Sequence, residues 1–248
     1  MVRNITYFFL KTSVTLFLIP ANVIGIKWIV KNLQCIDLKS NKPLMFFLAG
    51  ALIYVLFHIF ILRFTWLHVL GHELTHALFS LLSGGKVLKI KVTPKGGYVR
   101  VSHSNLLITL APYFFPFYLV VFLTLWLIAK HFYGEIVKHY NNYIILFFGF
   151  LFGFHFLFTV ESLHIHQPDL KVFGVIFSLA LITFANELII AITLKIFSPT
   201  TVSLKNLCEY ILSQEKIFWC GVLDILKKYM PIIIKTIAKL IQQCTIRR

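Results

Sequence analysis

Long apolar runs are the feature that most constrains how this chain can fold. They recur through most of its 248 residues, and each approaches the roughly 20 residues that a helix needs to cross the hydrocarbon core of a bilayer. Hydrophobic residues make up 58% of the chain and charged residues only 13%, whereas charged residues are about a quarter of a typical soluble domain. The sequence therefore predicts an all-α polytopic membrane protein with five to six transmembrane helices.

The six apolar runs cover residues 5–30, 43–62, 64–82, 105–129, 143–163 and 172–197, and they differ in how they begin and end. The first is too long for a signal-peptide core and lacks a cleavage pattern, so we expect it to be retained as a span. The second meets the third at Arg63 with no Gly, Pro or Asn to build a turn, which favours one long or kinked helix over residues 44–82 rather than two helices joined by a short turn. Pro112 and Pro116 predict a kink or an unwound stretch in the fourth run.

The chain divides into a membrane domain, residues 1–197, and a C-terminal tail, residues 198–248. The tail never reaches spanning length without a charge, and its lysines predict a basic amphipathic helix on the membrane surface. The net charge of +15 would also suit nucleic acid, but the bases lie in the tail and between the apolar runs. We therefore expect anionic lipid as a partner, no nucleic acid, and a multi-pass location, with the bacterial inner membrane as the default.

In residues 86–102 the apolar residues no longer recur every three or four positions, as on a helix, but at every second position. Apolar residues alternate with Lys89, Lys91 and Arg100, and the turn contains Gly96 and Gly97. This pattern predicts a β-hairpin after the third run. Such a hairpin either binds an extended peptide by strand addition or is a basic interfacial loop.

The charges of the hairpin and the tail conflict with the predicted spans. Both segments are rich in bases, so both should face the cytoplasm. Three predicted spans separate them, however, and an odd number places them on opposite sides. A re-entrant segment around Asp169 would remove the conflict.

The strongest chemical motif is His72-Glu73-Leu74-Thr75-His76, which lies inside the third apolar run. Residues four apart on a helix lie about 40° apart around its axis, so His72 and His76 can bind one cation. Glu73 flanks them and can act as the general base for a metal-activated water. Ionisable groups inside an apolar span are costly and usually functional. His68, one turn earlier, is either close to the metal or simply packed.

A catalytic zinc site needs a third protein ligand. The position six residues after His76, where a metzincin would carry His, is Leu82, so the ligand must come from elsewhere. We favour Asp169 because it follows a proline at a junction between two apolar runs. The candidates considered are Asp169, Glu161, His164, His166 and Glu187.

Taken together, these motifs resemble the M50, or site-2 protease-like, membrane zinc metallopeptidases. The similarity extends over residues 64–197. One departure concerns the third ligand, because the family usually carries its aspartate in a Leu-Asp-Gly context and this chain has Gln167-Pro168-Asp169-Leu170. The shared features are the His72–His76 box, the Gly84-Gly85-Lys86-Val87 exit, the Gly96-Gly97 hairpin, the proline-broken following run and Pro168-Asp169.

The resemblance implies a function and a set of roles. His72, His76 and Asp169 would bind Zn²⁺, and Glu73 would be the general base. The substrate would be a membrane protein cleaved in or near a transmembrane segment, with its helix unwound against the hairpin at Gly96 and Gly97. No inserted PDZ-like domain fits between the hairpin and the next run.

Two alternatives and one further residue belong with this prediction. A catalytically inactive scaffold or transporter would have no use for Glu73, and a di-iron desaturase would need about eight clustered histidines. Asn186 lies within the last apolar run. It either contacts the unwound substrate or satisfies neighbouring helices.

Overall fold

The structure is a computed structural model that describes residues 2–94, 96–164 and 167–246. Within these residues it consists of α-helices, one 3₁₀ turn and one two-stranded antiparallel sheet. The elements are α1 (Val2–Cys35), α2 (Lys42–Phe60), α3 (Thr65–Leu82), β1 (Val87–Thr93), β2 (Gly96–Val101), α4 (Leu106–Leu110), the 3₁₀ turn (Ala111–Tyr113), α5 (Phe117–Phe132), α6 (Gly134–His139), α7 (Asn141–His164), α8 (Pro168–Val172), α9 (Val175–Phe197) and α10 (Leu204–Ile246).

Among the residues that the structure describes, four helices are long and apolar enough to cross a membrane, or five if a bent pair counts as one span. The four segments are Thr6–Cys35, Lys42–Phe60, Asn141–Leu163 and Val175–Phe197. The bent pair is Leu106–Tyr113 with Phe117–Phe132. The structure therefore has four to five helices that could span a membrane, and it reaches the predicted five to six only if the bent pair crosses the membrane. The helix α3, which carries the histidine motif, is not among the four.

The prediction of one long or kinked helix over residues 44–82 is wrong. Helix α2 ends at Phe60, and α3 begins at Thr65. The backbone N–H groups of Ile61 and Leu62 both donate to the Phe57 carbonyl, which closes α2. The Phe64 ring stacks on Phe57 with centroids 5.3 Å apart and planes 11° apart. An aromatic contact thus accompanies a break for which the sequence offers no turn residue.

The predicted interruption near Pro112 and Pro116 is confirmed. The α4 segment and its 3₁₀ turn meet α5 at an angle of 83°. Asn105 starts α4 because its side chain accepts a hydrogen bond from the Ile108 N–H at 2.8 Å. The prolines prevent a continuous helix through this stretch.

Residues 106–132 go into the bundle and come back to the end at which they entered. Asn105 contacts Ser83 at the C-terminus of α3, whereas Tyr118 contacts the Leu67 carbonyl near its N-terminus. The chain then returns along α7, since Tyr118 packs on Phe154 and Phe122 on Phe147. This segment therefore reverses direction between α3 and α7.

The remaining long helices fix which ends lie together. Asn22 bonds the Ala180 carbonyl and Gly25 contacts Glu187, so α1 and α9 run parallel. Asn41, before α2, donates to the Phe197 carbonyl at 2.8 Å. We call this the Cys35 end of the bundle: α1, α3 and α9 end there, and α2, α7 and α10 begin there. We call the opposite end the Phe60 end.

The predicted hairpin is confirmed. Strands β1 and β2 pair antiparallel, with Ile90 opposite Val99 and Val92 opposite Gly97. Gly84, with a φ of 75°, supplies the left-handed turn after α3 that an L side chain rarely adopts. The hairpin is rooted at the end of α3, where the Gly85 N–H donates to the Ser80 carbonyl. It then packs back along α3 toward the histidine motif.

Glycines bring α2 and α7 into close contact. A Cβ at Gly149 would overlap the Phe47 carbonyl, and one at Gly50 would overlap the Leu146 carbonyl. Small residues that let helix backbones approach in this way are typical of helix pairs in membranes. The α2 and α7 helices run parallel, and together with α3 they surround the polar residues described next.

Candidate metal centre

Three predicted ligands converge at one point, two from α3 and one from α8. The His72 and His76 Nε2 atoms lie 3.2 Å apart. Asp169 Oδ2 lies 3.5 Å from His72 Nε2 and 3.4 Å from His76 Nε2. These three residues form a group that could hold a metal ion.

The spacing of the three atoms suits a tetrahedral ion. Bonds of about 2.0–2.1 Å at tetrahedral angles separate two ligand atoms by about 3.3–3.4 Å. An octahedral facial triad with similar bond lengths would bring them to about 3.0 Å. The three observed separations of 3.2, 3.4 and 3.5 Å are closer to the tetrahedral value.

The tautomer of His76 is set by a backbone carbonyl. Its Nδ1 lies 2.6 Å from the oxygen of Ile108, a residue that α4 places beside α3. Because a carbonyl can only accept, Nδ1 carries the proton and the Nε2 lone pair points toward His72 Nε2 and Asp169 Oδ2. The reversal of residues 106–132 therefore supplies one outer partner of the site.

Tyr113 supplies a second outer partner. Its hydroxyl donates to Asp169 Oδ2 at 3.2 Å, and its ring meets the His72 ring edge-on at 5.3 Å. The Tyr113 side chain is almost fully buried. The amide of Asn186 donates to the Tyr113 carbonyl at 2.9 Å, which fixes the backbone from α9.

Asp169 is kept ionised by its neighbours. Burial by itself would raise the pKa of this carboxyl, but the His72 and His76 imidazoles, with Nε2 atoms 3.5 and 3.4 Å away, hold the pKa well below its ordinary value when they are protonated. Pro168 begins α8 just before Asp169, and the buried Leu170 anchors the short helix. The Leu170 carbonyl accepts a hydrogen bond from Ser178 of α9.

Glu73 is buried and rests against strand β2. A Cβ on Gly97 would lie 2.8 Å from Glu73 Cγ and 3.0 Å from its Oε1, both too close. The Val99 backbone hydrogen-bonds the same carboxylate. Gly97 therefore leaves the space in which Glu73 sits beside the histidines.

The site opens into a cavity of about 810 Å³ between α3, α7 and the turn of the hairpin. This volume is within the range of pockets that bind small molecules or peptide segments. Gly96 and Gly97, predicted to contact substrate, both line it, together with His72 and Glu73. A second cavity of about 460 Å³ lies on the other side, where Asp169 and β2 form the wall.

His68 and Asn186 occupy different positions relative to the cavity. His68 lines it, bonds Ser162 at 3.0 Å and stacks on Phe158 with centroids 4.4 Å apart. Asn186 is buried, and its amide also donates to the Ile182 carbonyl. Its role in substrate binding stays a prediction, and the structure shows it next to Tyr113.

Two of the other candidates for the third ligand, Glu161 and Glu187, lie elsewhere. Glu161 bonds His58 at 2.9 Å, and Glu187 faces α1 at Gly25. His166 lies outside the described residues, and the side chain of His164 is not described.

Sequence reasoning missed Tyr113 and the Ile108 carbonyl. No motif marks either of them, since a backbone carbonyl has no residue type and Tyr113 is one aromatic in an aromatic stretch. The Asn105 cap, three residues before Ile108, was the one local signal that a new helix begins beside the site. No protein-family model, curated protein or solved structure matches this chain.

Proposed function

We propose that this protein is a membrane-embedded zinc metallopeptidase of the M50, or site-2 protease-like, kind. Its substrate would be a membrane protein, cleaved at a peptide bond in or near a transmembrane segment. The observation that carries the proposal is the convergence of His72, His76 and Asp169 at tetrahedral spacing, with Glu73 buried beside them. The four to five apolar helices support a multi-pass membrane location.

Zn²⁺ suits this donor set. Two imidazole nitrogens and one carboxylate leave a fourth position free, as in catalytic zinc sites. When bound, the ion would lower the pKa of water and polarise the scissile carbonyl. Zinc is favoured over iron because the spacing is tetrahedral and because a carboxylate that can act as a base lies alongside.

Glu73 performs the proton transfers in this proposal. Its carboxylate takes a proton from the attacking water while the water oxygen bonds to the carbonyl carbon. It then gives the proton to the amide nitrogen as the carbon–nitrogen bond breaks, so the products are a carboxylic acid and an amine. Gly97 and Val99 hold the Glu73 carboxylate in one orientation, so it is preorganised for the proton transfers.

The hairpin and the large cavity suit an extended substrate. A transmembrane helix must be unwound before its peptide bonds become accessible, and an unwound segment needs partners for its backbone groups. Among the described residues the sheet has two strands and no third strand pairs with it, and it lies beside the site, so strand addition would supply such partners. Gly96 and Gly97, both at the cavity, keep side chains out of that path.

Zinc content and cleavage together test the proposal. Native protein purified in mild detergent should hold about one zinc per chain. Asp169→Ala should lose zinc, whereas Glu73→Gln should keep it. Cleavage is then measured on a panel of reconstituted single-span helices, and Glu73→Gln should abolish it.

Two outcomes would refute the proposal. Native protein without zinc after mild purification would favour the inactive scaffold. Zinc-loaded protein whose cleavage is unchanged by Glu73→Gln would remove Glu73 from the mechanism.

A further inference from the structure

Helix α10 has an apolar stripe that continues far beyond its contact with the rest of the protein. The stripe follows the helical spacing of three and four residues. Its first members are buried against the bundle, but among the side chains that the structure describes in α10, none beyond Glu215 is buried. Six residues of the stripe are Leu207, Ile211, Phe218, Leu226, Tyr229 and Ile233.

In the outer part of the stripe, the apolar side chains are so exposed that they need a partner other than water. Phe218 is 45% exposed, Leu226 is 48% exposed and Ile233 is 48% exposed. A continuous apolar surface of this kind marks a contact with protein or membrane. Lys216, Lys227 and Lys228 lie away from the centre of the stripe and are exposed.

The contacts between the stripe and the rest of the protein lie at one end of the bundle. Leu207 and Ile211 share a core cluster with Ile36, Leu44 and Leu194. Those three residues lie where α1 ends, α2 begins and α9 ends, which is the Cys35 end. The free part of α10 therefore starts where the apolar helices stop, at the depth of the lipid headgroups if those helices cross a membrane.

The Cys35 end is also the more basic end. Bases at the Phe60 end include Lys11, Arg63 and Lys171, which are accompanied by Glu161 and Asp169. Because residues 106–132 return to the end at which they entered, the root of the basic hairpin and the start of α10 lie at the same end, and the charge conflict seen in the sequence disappears. Bases at the Cys35 end, where the acids include Asp37 and Glu135, are Lys31, Lys39, Lys42, Lys130, Lys138 and Lys195 among others.

We propose that α10 lies on the surface of an anionic phospholipid leaflet at the Cys35 end, with the stripe from Phe218 to Ile233 inserted among the lipids. The excess of bases makes this the cytoplasmic side. Its anionic lipids attract the lysines while the stripe enters the boundary of headgroups and acyl chains.

A second copy of the chain fits this surface less well. A coiled-coil seam is a narrow stripe with complementary charges beside it. Here the apolar face is broad, and between Lys216 and Lys239 the helix offers Asp224 alone to pair with the lysines of a partner.

Two positions on α10 provide a matched test. Leu226 lies on the stripe, and Ile217, which is 64% exposed, lies nine residues earlier and so on the opposite face. The full-length chain with its native cysteines replaced by serine would carry Leu226→Cys or Ile217→Cys, each labelled with an environment-sensitive fluorophore. Each protein is reconstituted into vesicles of phosphatidylcholine alone or with added phosphatidylglycerol.

In vesicles with phosphatidylglycerol, we expect the label at position 226 to be quenched by spin-labelled lipid. We expect iodide to quench it at least about fivefold less than the label at position 217. The contrast should shrink in phosphatidylcholine alone and after Lys227→Gln with Lys228→Gln.

Three results would overturn the proposal. Equal iodide quenching at both positions would show that the stripe is not inserted. If the difference in iodide quenching between positions 226 and 217 is the same in both lipids, the stripe does not require anionic lipid. Protection at position 226 that disappears when the protein is diluted in lipid would assign the stripe to a second copy.

Discussion

Replacing Tyr113 by Phe should weaken zinc binding without disturbing the packing of the site. The ring is buried and lies edge-on to His72, and Phe keeps that contact. The substitution removes only the hydroxyl, whose partner is Asp169 Oδ2 at 3.2 Å. The change therefore isolates one hydrogen bond to the ligand atom.

The expected loss is about tenfold in zinc affinity. A hydrogen bond to a charged group contributes about 1.5–3 kcal/mol, and the long distance places this one at the lower limit. About 1.5 kcal/mol corresponds to roughly a tenfold higher Kd, which is also the lower limit for outer partners of metal ligands. The Kd would be measured in detergent by competition with a chromophoric chelator at neutral pH.

Tyr118→Phe is the matched control. Its hydroxyl is also part-buried and donates at 2.6 Å to the Leu67 carbonyl, away from the three ligands. The Tyr118→Phe substitution should lower the free energy of unfolding by about 1 kcal/mol and leave zinc affinity unchanged. The reasoning would be refuted if Tyr113→Phe kept the native Kd within twofold, or if both variants lost zinc equally.

Two further predictions concern the base and the ligands. Gly97→Ala would place a Cβ 2.7 Å from the backbone carbonyl oxygen of Lys91 and 2.8 Å from Glu73 Cγ. Strand β1 and Glu73 must therefore both shift, Glu73 by about 0.6 Å to reach ordinary contact. Cleavage of the test helices should fall about tenfold or more while zinc is retained, whereas Gly134→Ala, whose Cβ meets nothing within 4 Å, should cleave at the native rate. Loss of zinc from Gly97→Ala would instead indicate a distorted hairpin. Zinc affinity should fall as the pH is lowered, because protons compete with the metal for His72 and His76, and a Kd that stays constant from neutral pH down to about pH 5 would contradict their role as ligands.

Features that depend on neighbouring residues were predictable. The hairpin followed from its alternation and its glycines, and the interruption after it followed from Pro112 and Pro116. Both are properties of a few consecutive residues, where backbone sterics decide the conformation. The break between α2 and α3 was not predictable in this way, because no turn residue occurs there and Phe64 stacks on Phe57 instead.

The sequence alone determined that this chain has several apolar segments of spanning length and that His72 and His76 share one helix face, because hydropathy and helical period are local quantities. Only the tertiary structure decided that Asp169 completes the group and that Tyr113 and the Ile108 carbonyl hold it. It also decided that residues 106–132 double back, which places the hairpin root and the tail at one end. These are distances between residues far apart in the chain, and they depend on how helices pack rather than on what any one segment prefers.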